Sequence, residues 1–134
     1  MAECIFCAIA AGEAPATVVD QDEHTVAFMD INPWHPGHAL VVPRRHSESL
    51  LEVGEEDLGH AFAAAQRLAA RMRERLGCER VILWNSCGAA AGQVVMHFHI
   101  HVIPAESEGP ELPRLPDASP AEIDAAAAAL RNGA

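Results

Sequence analysis

The run over 94–104, VVMHFHIHVIP, alternates imidazoles at His97, His99 and His101 with apolar Phe98, Ile100 and Val102. Successive side chains of an extended chain point to opposite faces, so a period of two marks a β-strand with one face buried. The pattern predicts a strand over 95–103 that ends at Pro104, with three imidazoles on one face and three apolar groups turned to a core. A strand of this kind commits the chain to a sheet with one covered face and one face carrying chemistry.

The rest of the sequence supplies the other strands and the cover. ALVVP at 39–43 is a continuous apolar run and predicts a buried central strand. Further strands are expected at 18–20, 25–29 and 80–85. Across 55–76, Leu58, Phe62, Ala65, Leu68, Met72 and Leu76 recur at helical spacing. Glu55, Glu56 and Asp57 open this helix and Arg71, Arg73 and Arg75 close it, in accord with the helix dipole, and Gly77 is the stop. A short helix is expected at 4–11. Near the C-terminus Ser119, Pro120 and Glu122 form an N-cap signature that predicts a helix over 119–131, after a Pro- and acid-rich surface linker at 105–118. These elements indicate one α+β domain over 1–134, with a mainly antiparallel sheet of about five strands, one long helix and short terminal helices.

Charge and cysteine usage narrow the function. A net charge of −10 disfavours a nucleic-acid backbone or an anionic membrane as partner, so a bound phosphate would need neutral donors and local dipoles. No apolar run approaches the ~18–20 residues that span a bilayer, and acids occupy the N-terminal stretch where a secretory signal carries basic residues. The expectation is a cytoplasmic protein with reduced thiols. Cys4 and Cys7, in C-x-x-C spacing, then read as half of a metal site or as bystanders, and Cys78 and Cys87 as small apolar residues.

Alternate strand positions lie roughly 6.5–7 Å apart, so His97, His99 and His101 cannot all bind one metal through nitrogen bonds of about 2 Å. A neutral imidazole acting as nucleophile, with neighbours that orient it or donate hydrogen bonds, suits the pattern better. The loop GAAAGQ just upstream offers backbone N–H groups and a Gln amide for a phosphate. His24, His35, His38 and His60 read as turn or surface residues, with His38 able to bond within its loop, and Trp34 and Trp84 as packing groups.

The segment AGQVVMHFHIHVIP resembles the signature of the histidine triad (HIT) superfamily of nucleotide hydrolases and transferases. The stretch CIFCAIAAGEAPATVVDQDEHTVAFMDINPWHPGHALVVPRRH is similar to the N-terminal half of its bacterial, Hint-like members. The resemblance implies the HIT-like α+β fold and a homodimer formed through the long helix and a sheet strand. It implies attack by His99 on the α-phosphorus of nucleoside 5′-phosphoramidates, adenylylated amines or dinucleoside polyphosphates, by way of a nucleotidyl-histidine that water resolves. His101 would donate a hydrogen bond near the leaving group or a phosphate oxygen. Gly92 and Gln93 would contact the phosphate, Val94 only through its backbone; Asp30 would accept from the ribose hydroxyls and Ile31 would lie against the base.

Two departures stand out. Val94 occupies a position where many members carry Ser or Thr. The usual asparagine falls at Ser86 or Cys87, with Asn85 one position early, so Asn85 and Ser86 are its nearest counterparts. They raise the alternative of a nucleotide-binding or scaffold protein with little turnover. The resemblance also implies a structural Zn2+ held by Cys4, Cys7, His46 and His97.

Overall fold

A computed structural model describes residues 4–105 and 119–131. The elements run α1 (Ile5–Ala10), β1 (Val18–Gln21), β2 (Thr25–Met29), β3 (Ala39–Pro43), α2 (Glu55–Arg71), β4 (Arg80–Trp84), β5 (Ile100–Ala105) and α3 (Pro120–Leu130). The five strands form one sheet in the order β1-β2-β3-β5-β4, with every neighbouring pair antiparallel. This is the expected α+β architecture. Residues 106–118 of the expected linker lie outside the described residues.

The local chemistry accounts for the punctuation. Asp22 Oδ1 accepts the backbone N–H groups of His24 and Thr25, both at 2.8 Å, closing the β1–β2 turn. α3 begins with the reciprocal cap expected of Ser119 and Glu122. α2 starts at its acids and widens into a single π-helical turn over Met72–Leu76 before Gly77, which takes φ +68. Met72 stays buried at the start of that turn, but Leu76, expected on the same apolar face, is 58% exposed at its end.

The two sheet faces are covered unequally. On one, Ala27, Ala39, Val41, Phe98, Ile100 and Val102 pack against Ala61, Ala64, Ala65, Leu68 and Met72 of α2 and its last turn. On the other, Phe6 of α1 packs with Val26, Phe28, Leu40 and Val42, over β2 and β3. Among the described residues no helix is long and apolar enough to cross a membrane.

One expected element is shorter than its sequence pattern. Residues 94–99 are irregular, so of the three alternating histidines only His101 lies within β5. Continuing the β3–β5 register from Val41 and Ile100 places Phe98 opposite Pro43. Proline has no N–H to donate, so the ladder stops there, and the Phe98 N–H instead donates to Ser47 O at 2.8 Å. The alternation of faces survives: Phe98 is wholly buried on the α2 side, while His99 and His101 line the opposite side.

Candidate active site and metal cluster

Strand register sets a row of side chains across the uncovered face. Phe28 pairs with Leu40, Leu40 with His101 and His101 with Trp84, so the four share one face. α1 covers only one end of the row, which leaves a cleft of about 1060 Å3 over the middle of the sheet. Asp30, Ile31, Ser86, Gly92, Gln93, Val94, His99 and His101 all line this cleft. Asn85 lies outside it: its amide donates to His99 O at 2.8 Å and so holds the backbone of that histidine.

Hydrogen bonds fix where each imidazole carries its proton. His99 Nδ1 donates to His97 O at 2.7 Å, which leaves the Nε2 lone pair for the cleft. The Trp34 N–H donates to His38 Nδ1 at 3.1 Å, so the proton of His38 sits on Nε2. That Nε2–H donates to His101 Nδ1 at 2.9 Å, and the proton of neutral His101 is therefore on Nε2. A lone-pair nitrogen on His99 and an N–H on His101 result, with ring centroids 5.0 Å apart.

Burial keeps these rings neutral. Desolvation lowers the pKa of His99, opposed by its bond to His97 O and by the Asp30 charge. His101 is pushed down to about 4, first by burial and then by the neighbouring His99 and His38. Burial also lowers His38 and His97. The approaches of Asp30 Oδ2 to His38 Nε2 (3.4 Å) and His101 Nδ1 (3.9 Å) are accordingly contacts between a carboxylate and neutral rings.

Two predicted groups have duties inside the protein. Asp30 Oδ1 accepts the Asn32 N–H at 2.7 Å, a turn-initiating bond, and Asp30 also lines the cleft. Both amide hydrogens of Gln93 are engaged, by Glu48 O (2.6 Å) and Val95 O (2.9 Å), and its Oε1 accepts from Gly88 N (2.8 Å). Gln93 thus braces the loop instead of offering its amide to a ligand. Gly92 sits at φ +97, a conformation that favours glycine. Val94 is almost fully exposed, and its N–H has no hydrogen-bond partner among the described residues.

Cys4, Cys7, His46 and His97 converge beside the cleft, with one donor atom from each within 4.8 Å of all the others. Cys4 is the N-cap of α1, and its Sγ accepts the Cys7 N–H at 3.4 Å, which places the two thiols together. His97 Nε2 donates to Pro43 O at 2.8 Å, so Nδ1 presents a lone pair to the cluster. It lies 3.3 Å from His46 Nδ1, 3.4 Å from Cys4 Sγ and 3.5 Å from Cys7 Sγ. Tetrahedral bonds of about 2.0 Å to nitrogen and 2.3 Å to sulfur give edges of about 3.3 Å between nitrogens and about 3.5 Å from sulfur to nitrogen. The cluster has the dimensions of a tetrahedral Cys2His2 metal site. Phe6, between the two cysteines, stands edge-on to His99 with ring centroids 5.2 Å apart.

His38, expected as a turn or surface residue, is instead buried and bonded to His101. Its partner is 63 residues away, and no local pattern reports that contact. Trp34 and Trp84, expected as packing groups, do pack on each other but also form a wall of the cleft. His24 and His60 stack on one another with centroids 3.7 Å apart, away from the cleft.

A HIT domain model matches residues 11–108. A HIT-like protein of Methanocaldococcus jannaschii is 38% identical over 121 residues, covering 90% of this chain and 93% of the relative. The crystal structure of a HIT family member from Bacillus subtilis superposes with TM-score 0.86 at 32% identity, covering 96% and 95% of the two chains. A Zn-bound histidine triad family protein from Mycobacterium smegmatis superposes with TM-score 0.77 at 36% identity, covering 85% and 84%.

Proposed function

Starting from the fact that this chain belongs to the HIT family, we propose that it is a nucleotide hydrolase or transferase acting at an α-phosphorus through a nucleotidyl-histidine. The observation that carries the reading is the tautomer of His99: with Nδ1–H held on His97 O, the neutral ring presents Nε2 to the cleft as a nucleophile. Nε2 attacks the phosphorus and the bond to the leaving group breaks, with the neutral His101 Nε2–H donating a hydrogen bond to the departing atom, which takes its proton from a water in the cleft. The hydroxide left by that water attacks the same phosphorus, the bond to His99 breaks with its electron pair returning to Nε2, and a nucleoside monophosphate is released. The His38 Nε2–H bond to His101 holds that donor in its working tautomer through the cycle.

In this reading the phosphate is received by neutral donors, as an acidic chain requires. The Val94 N–H is free for it among the described residues. Ser86 Oγ accepts the Trp84 indole N–H at 3.0 Å and keeps its own hydrogen to donate. Asp30 Oδ2 faces the cleft as acceptor for ribose hydroxyls, with Ile31 beside it for the base. The substrates proposed are nucleoside 5′-phosphoramidates, adenylylated amines or dinucleoside polyphosphates. Cys4, Cys7, His46 and His97 would hold one structural Zn2+, whose chemistry is to fix α1 and its Phe6 against His99. A homodimer belongs to the same proposal; β4 is an edge strand and its Leu83 is 44% exposed.

A second reading, a nucleotide-binding protein with little turnover, is favoured by Val94, which brings no hydroxyl, and by the engaged Gln93 amide. Phosphorus NMR of a panel of adenosine conjugates separates the two. Saturable release of AMP, abolished in His99→Gly, supports the hydrolase. AMP binding with turnover at background on every conjugate supports the binding protein.

A further inference from the structure

From the placement of Trp34 and Trp84 we infer that the leaving-group end of the cleft is an aromatic subsite, selective for nucleotide conjugates whose departing group carries a flat ring. The inference rests on the hydrolase reading for the direction of departure, and on the following geometry for the subsite itself. Trp84 stands directly opposite His101 on the neighbouring strand, on the side away from Leu40 and Phe28. His101 Nε2–H donates a hydrogen bond to the leaving atom, so the departing group lies on the His101 side, against Trp84. The nucleophile, by contrast, is backed by Phe6 of α1.

The corner is built for a ring. Trp34 meets Trp84 at a centroid separation of 5.0 Å and an interplanar angle of 72°, which leaves two perpendicular indole walls. A flat group can stack on one wall and present its edge to the other, the two arrangements aromatic pairs prefer. The Trp84 indole N–H is already taken by Ser86 Oγ, so the wall it presents is apolar. Trp34 is 53% exposed and meets Trp84 and His38 edge-on. The cleft's volume of about 1060 Å3 reaches the top of the roughly 300–1,000 Å3 range of pockets for drug-sized ligands. A mononucleotide on the Asp30 and Phe6 side leaves space for a second ring.

The test compares adenosine 5′-phosphoramidates of 2-phenylethylamine and 2-cyclohexylethylamine, two amines of similar size and basicity that differ in flatness. Stacking on an aromatic side chain is a strong enough interaction to give roughly tenfold selectivity or more. Wild type is expected to show about a tenfold higher kcat/KM for the phenyl conjugate. Trp34→Ala and Trp84→Ala should bring the ratio near one, and Trp34→Phe should restore most of it.

The chain has two tryptophans, and both are in this corner, so intrinsic fluorescence reads the subsite without turnover. The phosphonate in which CH2 replaces the bridging nitrogen of the phenyl conjugate should shift the emission and bind about tenfold tighter than its cyclohexyl counterpart. If no conjugate is hydrolysed but the phosphonates discriminate in this way, the hydrolase reading fails and the aromatic subsite stands. If both conjugates are hydrolysed alike and the phosphonates bind alike with unmoved emission, the aromatic subsite is wrong and the hydrolase reading stands.

Discussion

Replacing His38 by Phe tests whether a buried residue outside the triad governs the proton on His101. Phe retains a planar ring and is somewhat larger, so the buried site is filled and not emptied. What disappears is the pair of hydrogen bonds at 3.1 and 2.9 Å through which the Trp34 N–H sets His38 and His38 sets His101. Trp34 lies in an exposed loop where water can replace its partner. His101 Nδ1 faces a buried ring with no donor, which costs about 1–3 kcal/mol. An unfolding entropy of about 2.1 cal/mol/K per residue over 134 residues converts this to a Tm lower by about 4–11 °C.

The larger effect is chemical. Without the donor, His101 can carry its proton on Nδ1, toward Asp30 Oδ2 at 3.9 Å, and its Nε2 then has nothing to give the leaving group. We expect kcat to fall about 100-fold, the low end of the loss when one hydrogen-bond donor to developing charge is removed, with KM little changed. Nitrogen-15 NMR of the imidazoles, thermal melts and steady-state kinetics measure the three effects on one sample. A variant with the wild-type Tm, His101 still protonated on Nε2 and unchanged kcat would refute the tautomer chain.

Two further outcomes follow from the same geometry. Wild type should hold one zinc per chain, and Cys4→Ser and Cys7→Ser should each lose it together with protection of α1 amides against hydrogen exchange; metal content equal in all three proteins would contradict the tetrahedral cluster. His101, at about 4 when folded against an ordinary 6.5, should stay neutral in NMR titrations down to about pH 5. Below 6.5 the unfolded chain takes up a proton that the folded chain refuses. The contribution of this group is therefore complete above pH 6.5, declines as the pH falls and levels off below about 4, visible as a falling urea midpoint.

Much of this arrangement is legible in the sequence wherever the determinants are local. ALVVP is wholly buried as β3, the acids mark the first residue of α2, and the Ser119 capping box forms as its spacing implies. The pattern HFHIH correctly separates the residues of the two sheet faces, yet it overstates the strand, because pairing also depends on a partner N–H that Pro43 lacks. The site residues missed are those defined by distant partners. His38 is buried by a ring 63 positions away, and Trp34 meets Trp84 only once β4 closes the edge of the sheet. Gln93 stands where the sequence suggests, beside the cleft, but the carbonyls of Glu48 and Val95 occupy its amide. A motif records residue type and spacing, not which hydrogen bonds the surrounding fold has already used.

The central claim is that His99 Nε2 forms a bond to phosphorus. Turnover of adenosine 5′-phosphoramidate, stopped within milliseconds in alkali to preserve a phosphorus–nitrogen bond, followed by proteolysis and mass spectrometry, reads it directly. The account predicts an adenylyl group on the peptide containing His99, located at that residue by fragmentation and absent in His99→Gly. Adenylyl found on another residue, or rapid AMP release with His99 never modified, would contradict it.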